Sequence, residues 1–149
     1  PPPFGWVPAG ARMGILYVAT SKNLASWAAD VGLTKHVYKL GVAEGTADDA
    51  IKALNDDGFA GESDWRLLNQ QEVDDLQEAD AVERLARKEK MVDPNYYPKI
   101  RGAVGIFKVK IGNVANHLLV KRALAGDEQK LDKVKTADIA AYLIQSALQ

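Results

Sequence analysis

Two strand-like runs near the start of the chain constrain its fold more than any other feature. Gly14-Ile-Leu-Tyr-Val-Ala-Thr20 is an apolar run biased towards β-branched and aromatic residues, the composition of a buried strand. In Lys35–Val42, residues Val37, Lys39 and Gly41 alternate with Tyr38, Leu40 and Val42, which predicts a second strand with one apolar face. Between them, Asn23 is placed to cap a short helix over Leu24–Asp30. Gly32 is placed to end it, because glycine tolerates the left-handed conformation past a helix C-terminus. With that segment as an elaborate hairpin connection, the two strands are antiparallel neighbours.

The rest of the chain reads as helices with a few further strands. Thr46-Ala-Asp-Asp49 resembles a capping box with Asp in the Glu position. It opens a helix to about Asn55 with Ala47, Ile51 and Leu54 on one side, stopped by Asp56-Asp-Gly58. Trp65–Leu68 is a third strand candidate. Gln71–Met91 is the longest helical pattern, with Val73, Leu76, Ala79, Val82 and Ala86 spaced as one buried stripe. Its acidic first half and basic second half suit the helix dipole. Asp93–Pro98 is a loop, Val104–Val109 a strand, and Asn113 the cap of a helix to about Leu124. A final helix covers Thr136–Leu148 with Ile139, Leu143 and Ala147 aligned. The expected fold is α/β: a small, mainly antiparallel sheet of three to four strands flanked by helices, with a helical C-terminal end. Residues 1–13 read as a flexible Pro/Gly-rich leader and 14–149 as a single domain.

Composition removes several chemistries. The 149 residues include no Cys, so thiol catalysis, Cys-ligated zinc, iron–sulfur clusters and disulfides are excluded. Two His, His36 and His117, leave little room for a His-rich metal site. No stretch approaches the ~20 apolar residues of a membrane helix, and Pro1–Pro8 lacks the pattern of a secretory signal; a cytoplasmic location is the expectation. Phosphate-loop, dinucleotide-binding, zinc-protease and nucleophile-elbow motifs are missing. The net charge of -1 hides a segregation. Residues 1–83 hold 6 Lys+Arg against 14 Asp+Glu, whereas residues 84–122 hold 10 Lys+Arg against Glu89 and Asp93. A basic block of this density holds polyanions through counterion release, provided that the fold does not pack it against the acidic half.

One ordered constellation stands out. The strand Gly14-Ile-Leu-Tyr17 is followed by the strand Tyr38-Lys-Leu-Gly41, a short helix from Thr46, a long helix carrying Glu83, and Gly105-Ile-Phe107. Over residues 14–110 this resembles the GIY-YIG nuclease superfamily, in its divergent phage-type branch, where the second motif reads like Lys39-Leu-Gly41. The resemblance implies that Tyr17 helps to activate the attacking water. It places Lys39 at the position of the second-motif tyrosine, with Tyr38 as its neighbour, and makes Glu83 the ligand of a single Mg2+. One metal neutralises a phosphoryl oxygen while a tyrosine or lysine manages the nucleophile's proton. The family's phosphate-clamping arginine is missing: Ala50 falls at or next to its position, beside Asp48 and Asp49. Loss of such a preorganised cation costs orders of magnitude in rate.

The expectation is therefore a nuclease-like, DNA-binding regulatory domain with impaired cleavage. Arg84, Arg87, Lys88, Lys99, Arg101, Lys108 and Lys110 would contact phosphates, which position a ligand without specifying sequence. His117 and Lys121 share a helix face with Asn113 and Asn116, as either a solvated surface or a nucleic-acid contact. Tyr96 and Tyr97 either stack on bases or pin a Pro-flanked loop. Glu83 has its own structural alternative, a pair with Arg87 at i+4. Two other functions compete: an active Mg2+-dependent DNA endonuclease in which Lys39 or Arg101 replaces the arginine, and a protein-interaction accessory factor of phage or bacterial origin with a protein partner or a second copy.

Overall fold

The computed structural model describes residues 13–126 and 133–149; the expected leader, apart from Met13, lies outside them. Strand β1 (Met13–Ser21) runs antiparallel to β2 (Val37–Ala43), with Tyr17 opposite Gly41 and Ala19 opposite Lys39. Helix α1 (Lys22–Asp30) lies between them. Its cap is Ser21 rather than Asn23: the Ser21 hydroxyl accepts from Leu24 N at 3.0 Å. Asn23 N instead donates to Asp64 Oδ2 at 2.9 Å, and the Ser21 hydroxyl donates to the same carboxylate. Burial opposes ionisation of Asp64, but these donors outweigh it and hold its carboxyl below the usual range. Gly32, at φ 86°, ends the helix as its sequence position requires.

Helix α2 (Ala47–Asp57) begins at Thr46, whose side chain accepts from Asp49 N, and stops at Gly58 in the left-handed conformation. Strand β3 (Trp65–Asp74) then pairs with the free edge of β1 along its whole length, from Met13 opposite Asp74 to Ser21 opposite Trp65. This overturns the long helix from Gln71. The edge of β1 needs backbone partners, and residues 69–74 supply them although their side chains are mostly polar. Asp75 takes φ 53°, which no continuing helix accommodates. The helix that remains, α3 (Glu78–Ala86), buries Ala81 and Leu85, while Ala79 and Ala86 of the expected stripe are exposed. It stops before β4 (Lys90–Met91), which pairs with β5 (Ile106–Lys108), and β5 pairs in turn with β2.

The sheet therefore has five strands, not three or four, in the order β3-β1-β2-β5-β4, and every pairing is antiparallel. Helix α4 (Ile111–Leu124) begins at Lys110 instead of Asn113, and α5 (Thr136–Leu148) has the expected span. Among the described residues no helix is long and apolar enough to cross a membrane. Both faces of the sheet are covered. Leu16, Val18, Tyr38, Leu40 and Phe107 meet α3, α4 and α5 on one side, while Tyr17, Ala19, Val37 and Ile106 meet α1 and α2 on the other. The single apolar face expected for β2 is thus corrected: Lys39 and Gly41 also lie in the interior.

Candidate functional site

Strand alternation sorts the residues singled out by the family resemblance. Tyr17, Lys39 and Gly41 share the α1/α2 face, whereas Tyr38 points into the opposite layer beside Leu40 and Phe107. Burial raises the Tyr38 phenol, partly opposed by the charge of Arg66. Tyr17 crosses β2 over Gly41, where a Cβ would stand 2.5 Å from Tyr17 Cζ and 2.8 Å from Cε1. Lys39 is 4% exposed. Its Nζ donates to Val104 O at 3.0 Å, lies 3.8 Å from Glu78 Oε2 and sits 5.0 Å from the centroid of the Phe59 ring. Burial pulls the Lys39 ammonium below the usual lysine range, and Glu78 opposes this only in part.

Glu78, at the start of α3, is thus the carboxylate that meets Lys39. Its Oε1 also accepts from Val42 N at 2.8 Å, closing the edge of β2 beyond the end of β5. Glu83, five residues on, is turned to solvent at 71% exposure and pairs with Arg87 at 3.6 Å, the i+4 alternative. Ala50 packs against the cluster that contains Tyr17. The donor set does not fit Mg2+ at Glu83: one exposed carboxylate is shared with a guanidinium. Among the described residues no three His, Asp or Glu side chains converge as a metal site would require.

Burial, helped by the charge of Glu78, pushes the Tyr17 phenol up from 10.0 to about 12. The folded chain then keeps this proton where the unfolded chain has released it. Tyr17 leaves stability unchanged below pH 10 and lowers it as pH rises through about 12, by about 3 kcal/mol at most for a shift of this size. Lys39 acts in the opposite direction, because a lowered folded pKa raises stability with pH, and this ends by the ordinary lysine value of 10.5. Urea melts between pH 10 and pH 12 should therefore show a smaller alkaline loss in Tyr17→Phe than in the unaltered chain. Equal losses would mean that the Tyr17 hydroxyl is not enclosed.

The basic block divides in two. Arg87 is paired with Glu83, and Lys99 stands 3.7 Å from Glu62, so part of the block is set against the acidic half. Arg84 is half-buried on α3; Arg101 and Lys121 are exposed on separate elements. His117 is half-buried and held by its neighbours. It shares a 2.8 Å hydrogen bond with Gln145 Oε1 and packs edge-on against Tyr142 at 5.3 Å.

Lys88, Lys90, Lys108 and Lys110 behave differently. They converge on one cleft of ≈ 660 Å³, between the α1–β2 connection and the β4/β5 edge. Lys88 donates to Gln149 Oε1 at 2.5 Å. None of the four lysines has an ion pair among the described residues. His36 also lines the cleft, with its imidazole pK lowered by burial first and by Lys35 second. The one carboxylate in the lining, Glu89, is buried and engaged three times: it accepts from Lys110 N at 2.8 Å, Asn113 Nδ2 at 2.8 Å and Tyr142 Oη at 2.6 Å. Sequence reasoning missed this organiser of the α4 start, whose only signal was its place as one of two acids inside the basic block. It also missed the pairing of β4 with β5 that gathers the lysines. The chain matches no protein-family model, no curated protein and no solved structure.

Proposed function

We propose that this chain is a nucleic-acid-binding domain on a nuclease-like sheet that does not cleave efficiently. The convergence of Lys88, Lys90, Lys108 and Lys110 on one open cleft carries the reading. Four like charges gathered around one buried carboxylate, with no ion pair among the described residues, are electrostatically unfavourable in the free protein and favourable once phosphates replace their counterions. The arrangement around Tyr17 supports the lack of cleavage. Its hydroxyl is enclosed and protonated at neutral pH, Lys39 is tied to Val104 and Glu78, and Ala50 offers no charge to a phosphoryl group.

Binding of labelled DNA across a salt series, with and without Mg2+ and with a denaturing gel of the same samples, tests this. Four phosphate contacts give a slope near −3.6 for duplex, so affinity should drop by about 10²-fold between roughly 50 and 200 mM salt. The DNA should stay intact. Cleavage that requires Mg2+ would overturn the inactive reading and restore the endonuclease. No binding at low salt would overturn the nucleic-acid reading itself. The second reading, a contact with a protein partner or another copy, would then stand; the exposed Leu119, Val120 and Leu124 on α4 favour it.

A further inference from the structure

The lysine cleft does not end at the lysines. Leu33, Lys90 and Lys108 also line an adjoining hollow of ≈ 390 Å³, whose far wall is Tyr96 and Tyr97. From this juxtaposition we infer that the groove takes single-stranded nucleic acid, with phosphates on the lysines and an unpaired base on the ring of Tyr96. The inference rests on the nucleic-acid reading above and adds the form of the ligand and how it is held.

Three observations carry it. The first is the register of the two short strands. Lys90 stands directly opposite Lys108 in the antiparallel β4–β5 pair. Like charges in that relation are destabilising, and no carboxylate bridges them among the described residues. An anion laid across the pair removes the repulsion. The second is the state of the two tyrosines. Tyr97 is fixed, edge-on to Trp27 at 5.3 Å, and Tyr96 leans on it at 4.8 Å and 76° while remaining 73% exposed. The loop beneath is held by Gly102 N donating to Pro94 O at 3.0 Å and by Asn95 N donating to Asp93 Oδ1 at 2.8 Å. The second bond occupies part of the one carboxylate in this hollow. Tyr96 is thus a supported aromatic ring left open to solvent. The third is the direction of approach. Both hollows share Leu33, Lys90 and Lys108 and lie along β4, an edge strand of the sheet, so one chain can run through both.

A duplex keeps its bases stacked on each other, so it offers phosphates to the lysines and no base face to Tyr96. A single strand offers both. Stacking tolerates any base, so little sequence preference is expected, and the same groove accepts deoxyribose and ribose chains.

Fluorescence polarisation of the full chain at low salt, with labelled oligo(dT), oligo(U) and a DNA duplex of equal length, tests the inference. Both single strands should bind more tightly than the duplex. Tyr96→Ala should weaken the single strands about tenfold, within the range of one base–aromatic stack, and leave the duplex within about twofold. Tyr96→Trp should retain binding. The double variant Lys90→Ala/Lys108→Ala should weaken every probe and flatten the single-strand salt slope by about 1.4. All three residues reach the surface, and a thermal melt of each variant checks that the fold is intact. A duplex preferred by the unaltered chain, with Tyr96→Ala without effect, would overturn this inference and leave the nucleic-acid reading standing. Binding that ignores the lysine pair would overturn the location. Failure of all three probes to bind would overturn both readings.

Discussion

Glu89→Ala should lower the unfolding free energy by about 3 kcal/mol, the largest loss expected from any single polar substitution in this fold. The side chain is 4% exposed and its two oxygens take three donors from three places: the backbone at the start of α4, Asn113 one turn in, and Tyr142 on α5. Hydrogen bonds to a charged acceptor contribute about 1.5–3 kcal/mol each, and a donor left buried without a partner costs about 1–3 kcal/mol. The three losses do not add. Lys110 N and Asn113 lie at the cleft, where water replaces the carboxylate, whereas the Tyr142 hydroxyl is enclosed and keeps only the Ser146 hydroxyl beside it. A bond to that neutral hydroxyl is weaker than one to a carboxylate, so most of the loss at Tyr142 remains. Glu89→Gln keeps one acceptor and lets the phenol accept in turn, so its cost should be nearer 1–2 kcal/mol. Urea melts should show a lower midpoint at unchanged slope. The diagnostic is Tyr142→Phe. It should be destabilising in the unaltered chain and clearly less so beside Glu89→Ala, where the bond to the carboxylate is already lost. The same cost in both backgrounds would mean that the hydrogen bond does not organise this corner.

The same corner shows what the sequence can carry. β1, β2, α2 and α5 were legible because each has a local signal: an apolar β-type run, an alternation, a cap with a glycine stop, a helical stripe. The segment 71–91 was not, because Val73 and Leu76 fall in helical phase by coincidence. What decided its first part was the unpaired edge of β1, a partner more than fifty residues away in sequence. That error propagated to the site. A helix thought to start at Gln71 makes Glu83 its interior carboxylate, whereas one starting at Glu78 brings Glu78 itself to Lys39. The exclusion of Tyr38 was available from the outset, since neighbours on a strand face opposite ways. The lysine cleft was not available. It depends on a two-residue strand and its register, and two residues carry no periodicity.

Gly41→Ala should cost about 2 kcal/mol, although alanine is intrinsically better than glycine in a strand by about 0.5–1 kcal/mol. Sterics decide the sign. The new Cβ would lie 2.5 Å from Tyr17 Cζ, against the ~3.5–4.0 Å of carbon atoms in contact, so the ring must retreat by about 1 Å. It has nowhere to go: Tyr17 is fully packed among Ala19, Ile51 and their neighbours, and Gly41 sits on a strand bonded on both sides. Trimming the ring should relieve the conflict. Tyr17→Leu alone leaves space over Gly41 and is destabilising. In the double variant the alanine methyl fills part of that space, so Gly41→Ala should become neutral or stabilising, a coupling of about 2 kcal/mol in a denaturation cycle. Independent, additive costs would sink the account. If the coupling is found, the glycine of the Lys39-Leu-Gly41 motif acts as the floor on which the Tyr17 ring lies, and it is needed for packing whether or not the tyrosine ever meets a phosphate.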